Sequence, residues 1–315
     1  MAPVSSANRQ RGGRSPLILC AGTAVLDHVY RLAHFPKPGS KTRAREFLAI
    51  AGGCAANGAI AIRRLRGRAR LAAPLGGPAG ADPVGDVVVA RLEGEGIDLS
   101  GVMRTTGMSS GTSAILLDAS GERTIVTHRD LRLADTRIAD PDHLTADVDA
   151  VLVDNRFVDF VIPVALAARR RRIPVVLDAD RPAGVVPQLL AAATHVIFGA
   201  DALRTATGIN EFDRALRKAS GMTDAFLGVT DGPRGVFWLD GTELAHFPGF
   251  AVEAIDTLGA GDVFHGAFAL ALAQGQSEAE AMRFAAATAA LKCTRFGGGS
   301  ASPDRDQVRT LLAGG

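Results

Sequence analysis

Short, largely apolar runs mark this chain at residues 16–24, 70–75, 150–153, 174–178, 195–198 and 225–230. Runs of that length suit strands buried on both faces of a parallel sheet. Between the later runs, apolar positions recur at helical spacing over residues 161–171, 185–193, 201–207 and 211–219. Alternation of this kind predicts βαβ units with right-handed crossovers. Two other pairs of segments, 28–35 with 42–50 and 114–117 with 123–128, alternate at every second residue. They flank Pro36-Lys37-Pro38-Gly39-Ser40 and Asp118-Ala119-Ser120-Gly121, so both pairs read as hairpins. Further helices are expected after Gly52-Gly53, over 87–92, from residue 263 to 272, over the small-residue-rich stretch 279–292, and after Gly297-Gly298-Gly299-Ser300. No internal repeat and no second domain stand out.

Composition narrows the picture without redirecting it. A chain of 315 residues with 47% hydrophobic content can form one large α/β domain. No apolar run reaches the length that spans a bilayer, so no membrane partner is expected. Cys20, Cys54 and Cys293 are odd in number and far apart, which gives neither a disulfide framework nor zinc spacing and suits a reducing cytoplasm. The net charge is +2, and no basic stripe with interleaved aromatics is present, so nucleic acid is not an expected partner. Residues 1–15 carry Arg9, Arg11 and Arg14 without an acid, and read as a disordered tail.

Candidate chemistry centres on residues 256–264, Asp-Thr-Leu-Gly-Ala-Gly-Asp-Val-Phe. A strand-like run over 251–255 leads into a glycine-rich turn, and a helical apolar run follows. Such a turn leaves the first helical N–H groups unpaired at the positive end of the helix dipole, an arrangement that binds anions. Gly259, Ala260 and Gly261 would form the anion hole, and Asp262 in the first turn would take a proton from an attacking hydroxyl. A second glycine pair, Gly52-Gly53, precedes Asn57 and a helix. Its adjacent glycines do not fit the spaced pattern of a dinucleotide fingerprint.

The string D-T-x-G-A-G-D-x-F-x-G-A, matched by Asp256, Thr257, Gly259, Ala260, Gly261, Asp262, Phe264, Gly266 and Ala267, resembles the C-terminal signature of the ribokinase (PfkB) family of sugar kinases. The earlier stretch resembles the family's G-G-x-x-x-N-x-A, through Gly52, Gly53, Asn57 and Ala59. Gly80, Asp82 and Gly85 match a G-x-D-x-x-G element of the same family. The resemblance implies a three-layer α/β/α fold with a mostly parallel central sheet, and a small β-sheet lid built from strands within about 28–50 and 111–128. It implies Asp262 as general base, and sugar contacts from Asp27, Gly52, Gly53 and Asn57; the asparagine expected in the lid strand at 123–128 appears here as Thr127 or His128, with Thr127 taken as the contact. It implies ATP contacts from Thr230, Gly232, Gly235, Thr257 and Lys292, with Mg²⁺ on the phosphates and room for a monovalent cation. The lid is the family's usual dimer surface.

The family's Asn and Glu after the strand at 195–198 are absent; the chain reads Gly199-Ala200-Asp201, and Asp201 would partly stand in. Within the family, the stretches 261–267 and 289–295 are similar to bacterial sulfofructose kinases, and Arg156 sits where those carry an arginine for the sulfonate. Ketohexokinases share much of the pattern. The expected activity is therefore ATP-dependent phosphorylation of a primary hydroxyl on a small ketose-like sugar, with 6-deoxy-6-sulfofructose as a candidate. Arg156 could instead pair with Asp154 or Asp178. A non-catalytic sugar-binding regulator is the rival of a different class, and a base beside an anion hole argues against it.

Overall fold

The computed structural model describes residues 14–119, 121–182 and 185–314, so the expected tail lies almost wholly outside the described residues. The chain opens with β1 (Leu17–Ala21), β2 (Val25–Arg31), β3 (Glu46–Gly52), α1 (Cys54–Arg64), β4 (Arg68–Ala72), β5 (Pro74–Gly76) and α2 (Pro83–Gly94). It continues through β6 (Met103–Thr105), β7 (Gly111–Leu117), β8 (Arg123–His128), the single turn α3 (Pro141–Leu144), β9 (Ala150–Asp154) and α4 (Val158–Arg170). Next come β10 (Val175–Ala179), α5 (Pro187–Ala192), β11 (His195–Gly199), α6 (Ala200–Thr207), α7 (Phe212–Ser220) and β12 (Phe226–Thr230). The chain closes with β13 (Val236–Asp240), β14 (Glu243–Phe247), α8 (Ala260–Ala273), α9 (Glu278–Cys293) and α10 (Arg305–Gly314).

The central sheet has the order β14-β13-β12-β11-β10-β9-β1-β4. All pairings from β4 across to β12 are parallel, while β13 and β14 add an antiparallel edge. The fully apolar runs become strands buried on both faces, as the pattern predicts. One core joins the sheet to α1, α2, α8, α9 and α10, and a second joins its other face to α4, α5, α6 and α7. This is the expected three-layer α/β/α architecture. Because six neighbouring strands run in one direction, their C-terminal ends share one edge, where open α/β sheets bind ligands.

The two hairpins join into one four-stranded sheet, β3-β2-β7-β8, through a parallel β2–β7 pairing. Val29, Ile50 and Ile115 bury its inner face against Leu258 and Phe296, so the small sheet rests on the loops beside the glycine turn.

Two expectations need correction. The run at 70–75 divides at Ala73, because β4 pairs with β1 while β5 pairs with β6. Residues 251–255 form no strand. The sheet edge ends at β14, and the N–H groups of Ile255 and Asp256 donate instead to the Cys293 carbonyl at 2.8 and 3.1 Å.

Candidate active site

Gly259 caps α8 at φ 73°, a left-handed conformation that glycine adopts without strain. The first-turn amides of α8 then have no helical acceptor. The Ala260 N–H turns back to Thr257 O at 3.2 Å, which leaves the amides of Gly261 and Asp262 as the ready donors. A Cβ placed on Gly261 would meet nothing within 4 Å, so internal packing does not require glycine there. The space above it is open to a ligand.

Asp262 faces Asn57 across the site. The Asn57 side-chain amide donates to Asp262 Oδ2 at 2.7 Å, while Asn57 Oδ1 is buried without a partner. Two glycine contacts bring the helices carrying them together. A Cβ on Gly266 of α8 would lie 2.5 Å from the Gly58 carbonyl oxygen of α1, and one on Gly299 would collide with Asn57 Oδ1. The motif glycine at 266 thus serves a helix crossing, and only a folded chain shows its partner.

Asp27 on β2 is buried, and its carboxylate lies in the space a Gly52 side chain would fill. Burial first, and then the nearby Asp262 charge, push its pKa from 3.8 up to about 6 against a hydrogen bond from Ser113. Asp27, Ser113 and Thr127 stand in one register row across β2, β7 and β8, so all three occupy the same face. Gly53 starts α1 at φ 95°, where a Cβ would come within 2.6 Å of the Thr23 carbonyl oxygen.

The ends of β9 and β10 contribute an acidic and basic group that the motifs did not reveal. Asp154 accepts N–H bonds from Thr23 at 2.6 Å and Arg156 at 3.0 Å. The Arg156 guanidinium pairs with Asp180 rather than with Asp154 or Asp178, and reaches toward Cys54 Sγ. Burial works against its charge, but Cys54, Asp180 and Asp154 outweigh burial and hold its pKa above the ordinary arginine value. The Arg129 guanidinium lies 5.1 Å from the centre of the Phe157 ring, and burial first, then the charges of Arg156 and Arg181, lower its pKa. Acids at the C-terminal ends of parallel strands were the available signal for Asp178 and Asp180.

Asp178 has neither carboxylate oxygen hydrogen-bonded, and one of them lies with Cys54 Sγ and an Asp262 oxygen in a cluster within 4.8 Å. Burial, then Asp180, Asp262 and Asp154, raise its pKa well above the carboxylate range. His265 lies beneath, with Nδ1 2.7 Å from Gly261 O and 3.5 Å from Asp178 Oδ2, and Nε2 3.2 Å from Ile197 O. It ties the first turn of α8 to β11; burial lowers its pKa against bonds to the two carbonyls.

The expected nucleotide residues meet different fates. Thr230 and Gly232 stand at the end of β12, and a Cβ on Gly232 would meet nothing. Gly235, at φ 89°, is required by the hairpin itself, since a Cβ there would strike the Phe247 carbonyl. Thr257 takes a bond from Arg123 at 2.5 Å beside an open cleft of about 520 Å³ bounded by residues 121–123 and 254–257. Lys292 is 0% exposed and bonded to Asp256, so its ammonium is not offered to a nucleotide. Asp201, with a side chain 98% exposed, pairs with Arg204. Asp82 caps α2 and accepts from Ser110, a structural use of the G-x-D-x-x-G element.

Comparison with known proteins agrees with this arrangement. Residues 15–305 match the model of the pfkB family of carbohydrate kinases. Ribokinase of Bacillus subtilis is 29% identical over 302 residues, covering 94% of this chain and 99% of its own. A crystal structure from Agrobacterium tumefaciens, assigned as a ribokinase, superposes with a TM-score of 0.91 at 36% identity, covering 95% and 98% of the two chains. Arabidopsis thaliana ribokinase, solved with ribose and ATP, gives a TM-score of 0.80 at 25% identity, covering 95% and 99%.

Proposed function

This chain belongs to the pfkB family of carbohydrate kinases, and from that premise we propose that it transfers the ATP γ-phosphoryl group to a primary hydroxyl of a small sugar, with Asp262 as general base. The observation that carries the assignment is the meeting of Asp262 and Asn57 at 2.7 Å beside an α8 N-terminus whose Gly261 faces open space. The sugar lies between Asp27, Asn57 and the small sheet, which acts as a lid. Asp262 accepts the proton of the sugar hydroxyl as the hydroxyl oxygen bonds to the γ-phosphorus, and the bond from that phosphorus to the bridging oxygen breaks to release ADP. The amides of Gly261 and Asp262 stabilise the charge spread over the phosphoryl oxygens. Transfer of this kind needs mainly positioning and electrostatic stabilisation. ATP lies along the sheet edge toward Thr230 and Gly232. Asp178 and Asp262 offer oxygen donors that suit a hard divalent cation such as Mg²⁺, and the unpartnered Asp178 oxygens support that use; the third atom of the cluster, Cys54 Sγ, is soft and would not be a ligand. Bound there, the ion would offset phosphate charge.

The sugar carries an anionic group at the end remote from the reacting hydroxyl. What supports this is Arg156 just after β9, paired with Asp180 and reaching toward Cys54, together with the repulsion that Arg156 and Arg181 exert on Arg129. A guanidinium donates two parallel bonds to an oxyanion, which a neutral sugar cannot match. A sulfonated ketose, 6-deoxy-6-sulfofructose, suits that site; fructose or ribose is the neutral rival. Arg156→Ala should lower kcat/KM for sulfofructose about 10- to 100-fold, as expected for a lost bond to a charged group, and spare fructose. Equal losses on both sugars, or a wild-type preference for fructose or ribose, would remove the anionic-substrate reading while leaving the kinase assignment intact.

A further inference from the structure

Lys292 and Asp256 form an ion pair with both side chains 0% exposed, beneath the turn that leads into α8. The ammonium donates to the Asp256 carbonyl oxygen at 2.8 Å and lies 3.2 Å from Asp256 Oδ2. The carboxylate also accepts three backbone N–H bonds. Its Oδ1 accepts from Leu258 N–H at 2.8 Å, and its Oδ2 accepts from Gly297 and Gly298 N–H at 2.9 and 3.4 Å. Asp256 therefore fastens the turn before α8 to the turn after α9. Those two turns enclose Asn57: a Cβ on Gly259 would lie 3.3 Å from Gly299 N and 3.2 Å from Asn57 Nδ2. The contacts run without a break from Lys292 through Asp256 and the 297–299 turn to Asn57, and so to Asp262.

A buried carboxylate needs a nearby positive charge, and the family resemblance leaves room for a monovalent cation to provide one. In this chain the ammonium of Lys292 already takes both the carbonyl oxygen and a carboxylate oxygen of Asp256, and that carboxylate is 0% exposed. A separate ion does not fit there. We propose that Lys292 is a built-in cation that holds the anion-hole turn in its working shape, so that turnover is independent of potassium or any other free monovalent ion. Lys292 is thus a positioning residue, acting through Asp256. The proposal rests on the reading of the α8 N-terminus, with its Gly261 and Asp262 amides, as the anion hole.

The test titrates the wild-type enzyme with K⁺, Na⁺ and NH₄⁺ chloride in tetramethylammonium buffer at constant ionic strength. The expected kcat is flat within about twofold, because the internal pair is screened little by salt. Activation by K⁺ of about fivefold or more, beyond any general salt effect, would overturn the proposal. Lys292→Ala removes the charge and opens its volume, and kcat should fall by about tenfold or more, as expected for a buried acid left unpaired. Added K⁺ or NH₄⁺ should then restore part of the loss, a response that a packing role alone would not give. A folded Lys292→Ala enzyme indifferent to every cation would also overturn the proposal. If that variant does not fold, Lys292→Arg must keep the flat cation response, and the wild-type titration still decides. Gly261→Ala tests the underlying reading separately. Full activity in that variant would remove the anion hole whatever the cation data show.

Discussion

Each residue of the site has a role set by what surrounds it. Asp262 is held by Asn57, so Asp262→Asn should keep ATP affinity near normal while kcat drops about 10²- to 10⁴-fold, the usual cost of losing a general base. Retention of more than about a tenth of the wild-type rate would show that another group takes the proton. Gly261→Ala separates stability from catalysis. The added methyl meets no protein atom, so the variant should gain about 0.5–1 kcal/mol in unfolding stability while turnover falls about 10²-fold. Asp27 has a pH signature. Its ordinary pKa is 3.8 and its folded pKa about 6, so its contribution to stability is fully present below pH 3.8 and is lost as pH rises through 6. At pH 8 the buried anion then costs on the order of 3 kcal/mol, and Asp27→Asn should unfold at higher denaturant concentration than wild type. At pH 3 that gain should vanish. Asp180 also titrates near 6, so the comparison must be made between variant and wild type rather than read from one curve. Sugar affinity should weaken as pH falls below about 6, because a protonated Asp27 loses acceptor capacity.

Elements act here by bringing short segments to a common point. Asn57 rides on α1 and Asp262 on α8, and their 2.7 Å bond depends on how closely those helices cross at Gly58 and Gly266. Gly266→Ala places a methyl against backbone, which cannot move aside as a side-chain tip could. We expect a loss of about 1–3 kcal/mol by urea unfolding, together with a fall in kcat as the helices part. Unchanged stability would mean that the crossing has slack. The strand layer works similarly. Parallel pairing of β9 with β10 sets Asp154 opposite Asp178, which brings two further acids beside Arg156 and Asp262.

The molecule as a whole leaves the outer face of the small sheet uncovered. Phe47 is 51% exposed and Val126 65%, with Tyr30 and His28 packed around Phe47. An apolar face of this kind marks an interaction surface, and we propose that a second copy of the chain covers it. Val126→Lys should shift the protein toward monomer in light scattering; a monomeric wild type would remove the proposal. Much of this molecule could be read from its residues. The buried apolar runs, the two hairpins and the glycine turn before Asp262 are local patterns, and the local physics of strands, turns and helix starts settles them. Residues 251–255 were the local failure, since an apolar stretch does not reveal whether a strand edge stands ready to pair with it. Partnerships between distant residues were decided only by tertiary structure. Nothing near Arg156 in sequence says that Asp180 rather than Asp178 takes its charge, because strand register and the turn after β10 choose between them. Lys292 was expected to contact ATP, and the partner it has instead was hidden for the same reason. Its family motif gives its position along α9, while the packing of α9 on residues 254–258 turns its ammonium inward to Asp256.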